Sequence, residues 1–258
     1  MGVEVMEEQG ARRIATMAQT AELAPGIVEH AYADGAALAA AVAMQLREAT
    51  LRALAHRGHA LLCLAGGRTP FPAYRAFAAG AGIDWEDVAI VPGDERCVAH
   101  ADPASNLGGL RAAFAGANGV RIEALTTANG DPTISLAQAR AMLGLHHEAF
   151  DAVVLGMGED AHTASLFPGA AGLPFALAPD TAHDAFLIQP DPLPAEAPYA
   201  RITLGLARLR RARATHLLVT GARKRAVLRE ALASDDPLRH PVAAVLRAAG
   251  DAHVHWCP

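Results

Sequence analysis

Four times along this chain a short apolar run breaks into glycine and then into charged or hydroxyl-bearing residues. HALLCLAGG precedes Arg68-Thr69, VAIVPG precedes Asp94-Glu95-Arg96, FDAVVLGMG precedes Glu159-Asp160-Ala161-His162, and THLLVTG precedes Ala222-Arg223-Lys224. Runs this short, with no polar alternation, suit strands buried on both faces, the condition of a parallel sheet. Parallel strands end on one edge, so the four polar loops are expected to converge on one pocket, where α/β proteins bind their ligands.

The intervening segments support this. Residues 34–57 carry apolar residues at helical spacing, with Asp34 near the start. A helix is expected over 69–79, with Thr69 as N-cap and Pro70 in the first turn. Residues 88–98 read as one strand entering a loop, and Ser105 or Asn106 caps the next helix. Helices follow over 133–149 and 222–233. AFLIQP and ARITL bracket a proline-rich surface loop, and residues 251–258 supply an edge strand. The predicted class is α/β: a single-domain, Rossmann-like, mostly parallel sheet with helices on both faces. Residues 1–25 read as a flexible N-terminal tail, with Met17 an alternative start, and residues 26–258 as the α/β domain.

At 52 % apolar and 19 % charged residues, the composition fits an ordinary globular chain. A net charge of −5 offers no basic excess for phosphate backbones and argues against nucleic acid. No apolar run is long enough for a transmembrane helix, and the acidic N-terminus is not a secretory signal. Cys63, Cys97 and Cys257 are too few and too scattered for a disulfide framework or a zinc site, so a cytoplasmic location is expected. Of 22 basic residues one is lysine, Lys224, just after a strand and turn. Lysine is a compact point charge that arginine does not freely replace, which suits a phosphate contact or the start of an exposed helix.

Candidate chemistry concentrates in these loops. Gly66-Gly67-Arg68-Thr69 lies between strand and helix, where bare N–H groups and the helix dipole can seat a phosphate. GMGEDA matches the loose dinucleotide fingerprint, but Pro168-Gly169 stops the helix it should open, and no acid-tipped second strand follows. Asp160 can orient His162 or hold its charged form, as in carboxylate–histidine catalytic pairs, although a histidine beside a turn also serves structural ends. Ser165 raises a Ser-His-Asp alternative, but no G-x-S-x-G elbow presents a nucleophile. His162 acting on water is the simpler assignment. His146-His147 and His253-x-His255 lack partners at metal-ligand spacing and read as solvated surface; RLRRAR (208–213) reads as an exposed helix face.

LAGGRTP, GDERCV followed by SNLGG, LGMGEDAHTASLFPG, ARITL and VTGARKRAVL, taken in order over residues 27–250, resemble the 6-phosphogluconolactonase family. The wider superfamily includes glucosamine-6-phosphate deaminases, which share the glycine loop, the DE pair and the D-x-H loop. The deaminases follow the histidine with N-E-P, whose glutamate works in ring opening. Here Leu166-Phe167-Pro168 stands there, and phenylalanine transfers no proton. The resemblance implies hydrolysis of 6-phosphoglucono-δ-lactone in the oxidative pentose phosphate pathway. His162 would be the general base, supported by Asp160, with Arg96 stabilising the oxyanion. Gly66, Gly67, Arg68, Thr69, Arg201 and Lys224 would hold the phosphate, and Asp94 would position hydroxyls or Arg96. It implies no metal or organic cofactor, a small sugar-phosphate lactone as the substrate, and a protein that is a monomer or small homo-oligomer. A non-catalytic sugar-phosphate sensor is a further alternative. The family pattern departs at Ala161, where glycine is usual; at φ > 0 alanine costs on the order of 1–2 kcal/mol. HVHWCP also stops short of the family's usual ending, which predicts an incomplete edge strand.

Overall fold

The computed structural model describes residues 18–190 and 198–258. In chain order these form β1 (Gln19–Ala24), β2 (Ile27–Ala31), α1 (Gly35–Arg57), β3 (Ala60–Leu64), α2 (Phe71–Ala78), β4 (Val88–Pro92), β5 (Asp94–Arg96), α3 (Asn106–Ala113), β6 (Arg121–Ile122) and α4 (Pro132–Leu143). There follow β7 (Ala152–Gly156), α5 (Leu173–Ala176), β8 (Ala185–Ile188), β9 (Arg201–Leu204), α6 (Leu206–Leu209), β10 (Thr215–Thr220), α7 (Ala222–Ala233), α8 (Pro241–Ala248) and β11 (Ala252–Cys257).

Among the described residues an eight-stranded sheet runs β1-β2-β11-β10-β7-β3-β4-β6. Only the β1–β2 hairpin is antiparallel. Strand periodicity divides the side chains between two cores. Leu61, Cys63, Val153, Leu155, Leu217 and Val219 pack on one face with Leu143, Leu228 and Val242 of α4, α7 and α8. Ala60, Leu62, Leu64, Ala152, Val154 and Leu218 pack on the other with Leu46 of α1, Tyr74 and Phe77 of α2 and Leu110 of α3. The fold is therefore α/β, a large mostly parallel sheet flanked by helices on both faces.

Local physics sets several boundaries. Asp34 caps α1 by accepting the Ala37 N–H at 2.8 Å, and Gly58 ends it in the left-handed region at φ 76°. Ser105 caps α3 through the Gly108 N–H at 3.4 Å. Gly93 is the pivot between two sheets: its N–H bonds Leu64 and its carbonyl accepts from Leu204. The chain then enters a second, antiparallel sheet, β5-β9-β8.

The structure corrects several of these expectations. The expected single strand 88–98 is broken at Gly93, and Asp94–Arg96 belongs to the smaller sheet. Helix α2 starts at Phe71 with Pro70 at the cap position, so Thr69 makes no capping bond. β11 is not at the edge; it lies between β10 and β2 and pairs through Cys257, so the short C-terminus leaves no incomplete edge. His255 is fully buried, and His146 is buried with its Nε2 3.2 Å from Glu123 Oε1; only His147 is exposed. The arginine run is not an exposed helix face, since α6 stops at Leu209 and Arg208 is fully buried with its guanidinium 3.6 Å from the Phe150 ring centre. Of the expected tail, residues 1–17 lie outside the described residues, and Gln19–Ala24 forms β1. Most of the proline-rich loop also lies outside them.

Candidate active site

β10, β7, β3 and β4 are consecutive neighbours and parallel, so their following loops meet at one edge. The loop after β7 is the most constrained. Its Asp160 Oδ1 lies 2.6 Å from His162 Nδ1 and also accepts the His162 backbone N–H at 3.2 Å. Burial pushes the Asp160 carboxyl up, but the hydrogen bonds and charge of His162 outweigh it and hold the group below its ordinary value. An ionised carboxylate only accepts, so the ring nitrogen that donates to Asp160 is Nδ1, which leaves Nε2 facing away from the carboxylate.

Two backbone features make room for this dyad. A Cβ on Gly158 would sit 2.2 Å from His162 Nδ1 and 2.4 Å from Asp160 Oδ1, so the ring needs glycine there. Between the pair, Ala161 adopts φ 64°, the left-handed conformation whose need for glycine was in question. Its carbonyl accepts from Val242 N–H at the start of α8. Phe167 packs on the His162 ring, with centroids 4.2 Å apart, and carries the Arg201 guanidinium 5.0 Å from its own centroid.

The loop after β4 is organised by Glu95, expected only as half of the DE pair, and Asn106, expected only as a possible cap. Glu95, 1 % exposed, accepts the N–H groups of Arg96, Asn106 and Leu107 and the Ser105 hydroxyl. Burial raises its pKa against those backbone bonds. Asn106 accepts from Arg96 Nη1 at 2.6 Å and donates to the Asp94 carbonyl at 2.9 Å and to its carboxylate at 3.2 Å. Asp94 Oδ2 also takes a 2.5 Å bond from Ser165 Oγ. Ser165 is thus fully buried and engaged with Asp94, not presented as a nucleophile. For Asn106 the available signal was an asparagine in the first turn of a helix; Glu95 lies in β5, well ahead of that helix in the chain, and carried no local signal.

The remaining candidates are less tightly joined. Arg201 in β9 pairs across the strands with Arg96 and is buried, which lowers its pKa while the nearby Asp94 charge opposes the shift. Gly66 packs directly on Asn106, and Gly67 has φ 97°. Arg68 is exposed, and Thr69 and Lys224 are half-exposed. The α7 loop is tied to the histidine loop by Arg223–Glu159 at 3.0 Å. Neither Arg68 nor Lys224 has a carboxylate partner among the described residues, unlike Arg57, Arg211 and Arg225. No group of histidine, cysteine and acidic residues able to hold a metal occurs among the described residues.

Residues 33–256 match the family model described as glucosamine-6-phosphate isomerases/6-phosphogluconolactonase. The chain is 37 % identical over 226 residues to a 6-phosphogluconolactonase of Pseudomonas aeruginosa, covering 86 % of this chain and 89 % of that one. It is 34 % identical over 244 residues to a 6-phosphogluconolactonase of Pseudomonas putida, covering 92 % and 96 %. A crystal structure of a 6-phosphogluconolactonase from Shewanella baltica superposes with a TM-score of 0.83 at 31 % identity, over 90 % of this chain and 98 % of that one.

Proposed function

This chain belongs to the family of glucosamine-6-phosphate isomerases and 6-phosphogluconolactonases, and we propose that it hydrolyses 6-phospho-D-glucono-1,5-lactone to 6-phospho-D-gluconate, a step of the oxidative pentose phosphate pathway. The observation that carries the reading is the Asp160–His162 pair at 2.6 Å with Phe167 against the ring. Where a deaminase needs a glutamate, an apolar ring fills the space, which favours the lactonase over its deaminase relatives.

The reaction needs one proton relay. His162 Nε2 takes a proton from water as the oxygen attacks the lactone carbonyl, and Asp160 stabilises the imidazolium that forms. The tetrahedral oxyanion develops within reach of Arg96, where fixed charge acts most strongly once water is excluded. Collapse expels the ring oxygen, which takes the proton back from His162, leaving the open-chain acid. Arg68, Thr69, Lys224 and the N–H groups of Gly66 and Gly67 hold the phosphate, with Arg201 beside them; Asp94 orients Arg96 and the sugar hydroxyls. Arg68 and Lys224 suit this role because no carboxylate of the described residues competes for them. The three cysteines are free thiols, in keeping with a reducing cytoplasm.

Acid release from freshly made lactone, measured against spontaneous hydrolysis, tests the reading. Wild type is expected well above background, and His162→Ala lower by roughly 10²–10⁴-fold. Wild-type turnover at background overturns it, and product binding without turnover would point to a sensor.

A further inference from the structure

We infer that Asn106 is a positioning residue for catalysis, fixing Arg96 and Asp94 as one rigid unit against the glycine loop. The inference rests on the lactonase reading above and adds a residue to it. Asn106 is 4 % exposed and uses both ends of its amide. Its oxygen accepts from Arg96 Nη1 at 2.6 Å; its nitrogen donates to the Asp94 carbonyl and to the Asp94 carboxylate. Arg96 has few other restraints: Nη1 also reaches the Ala104 carbonyl at 2.8 Å, while its buried Nε has no acceptor among the described residues.

The polarity of an amide is what this place requires. A carboxylate at 106 would face the Asp94 carboxylate, and a hydroxyl could not span both partners. The unit is also locked from two sides. A Cβ on Gly66 would lie 2.0 Å from Asn106 Oδ1, so the glycine loop and the amide fit only each other. Below, Glu95 takes the Asn106 backbone N–H at 2.7 Å. Through Asp94 and Ser165 the same chain of bonds reaches the histidine loop three residues beyond His162. Arg96 is thus held ready for a charge that forms only during reaction, which spares reorganisation at that moment.

The experiment is a double-mutant cycle on the full chain with Asn106→Ala and Arg96→Ala. Asn106→Ala is expected to lower kcat on the order of tenfold or more while KM moves less than about threefold. In the Arg96→Ala background the further loss in kcat should be well below tenfold, because most of its effect on kcat passes through that side chain. A multiplicative loss in the double variant, or an unchanged kcat in the single one, overturns the inference. Gly66→Ala supplies a second route should Asn106→Ala fold poorly. It should lower kcat by displacing Asn106, and in the Arg96→Ala background it should lower kcat little further. A substrate-free readout separates this inference from the lactonase reading. The guanidinium NMR signal absent from Arg96→Ala should be protected from exchange in wild type and lose that protection in Asn106→Ala. Equal protection in both proteins overturns the inference whatever the turnover.

Discussion

Ala161, where the resemblance leads one to expect glycine, adopts φ 64°. A left-handed alanine is strained by roughly 1–2 kcal/mol relative to glycine. Two terms offset that strain. The methyl is 1 % exposed and packs in the larger core, worth about 0.8 kcal/mol for one buried carbon. Alanine also restricts the unfolded chain, worth roughly 0.4–1 kcal/mol. The sum lies near zero, which explains how the loop keeps its shape around His162 without glycine. Ala161→Gly is therefore expected to change unfolding free energy by less than about 1 kcal/mol and to leave lactonase activity in place, with denaturant unfolding as the measurement. A loss or gain beyond about 2 kcal/mol would show that the loop is held by something other than this balance.

The joint between β5 and α3 shows how an element is positioned by one buried side chain. Glu95 Oε1 accepts the Arg96 and Asn106 N–H groups, both at 2.7 Å, and Oε2 accepts Leu107 N–H at 2.7 Å and Ser105 Oγ at 3.0 Å. Every partner is a donor, so the site needs two acceptor oxygens. Glu95→Gln turns one end into a donor facing donors and should cost about 2–4 kcal/mol, two lost or opposed buried bonds. Thermal unfolding measures it, and a shift indistinguishable from zero would mean that the amide finds other partners. Elements like this were only half legible. The caps at Asp34 and Ser105 could be read because a hydroxyl or carboxylate before an apolar run has a local partner. The four glycine-terminated strands could be read from their uninterrupted apolar character, and with them the edge carrying His162. The turn of Asp94–Arg96 into a second sheet could not, since three charged residues have no apolar period and their partner β9 lies more than a hundred residues on. Nor could Asn106, whose work depends on Gly66 and Arg96 arriving from separate loops.

Across the whole molecule, the burial of His255, expected at the surface, has a consequence for stability. β11 lies inside the sheet, so alternate residues His253 and His255 meet His30 and Tyr32 from β2 and His216 from β10. His30 Nε2 is 3.0 Å from His253 Nδ1, Tyr32 Oη 2.9 Å from His255 Nδ1, and His216 Nδ1 3.2 Å from His255 Nε2. This polar layer lies on the α1 face of the sheet. Beside it a cavity of about 420 Å³ brings Glu48, Arg52, His56 and Arg57 of α1, with Asp151, Arg213 and Asp251, around His216 and His253. Asp251 pairs with His253 at 3.0 Å. Burial and mutual repulsion lower His216 to about 3, take His255 well below its ordinary value and also lower His30. Below pH 6.5 the unfolded chain therefore binds protons at these positions that the folded chain refuses. Stability is full above that pH and falls as the solution is acidified, by about 1.4 kcal/mol per pH unit for each fully shifted histidine. For His216 the loss continues until the pH nears its folded value of about 3. Chemical denaturation at stepped pH should show wild-type stability declining between pH 6.5 and 4.5, and His216→Phe should flatten that decline by about one proton's slope. An identical slope in the two proteins would mean that His216 is protonated in the folded state, and that the layer is held by charge pairing with Asp251 in place of neutral imidazole bonds.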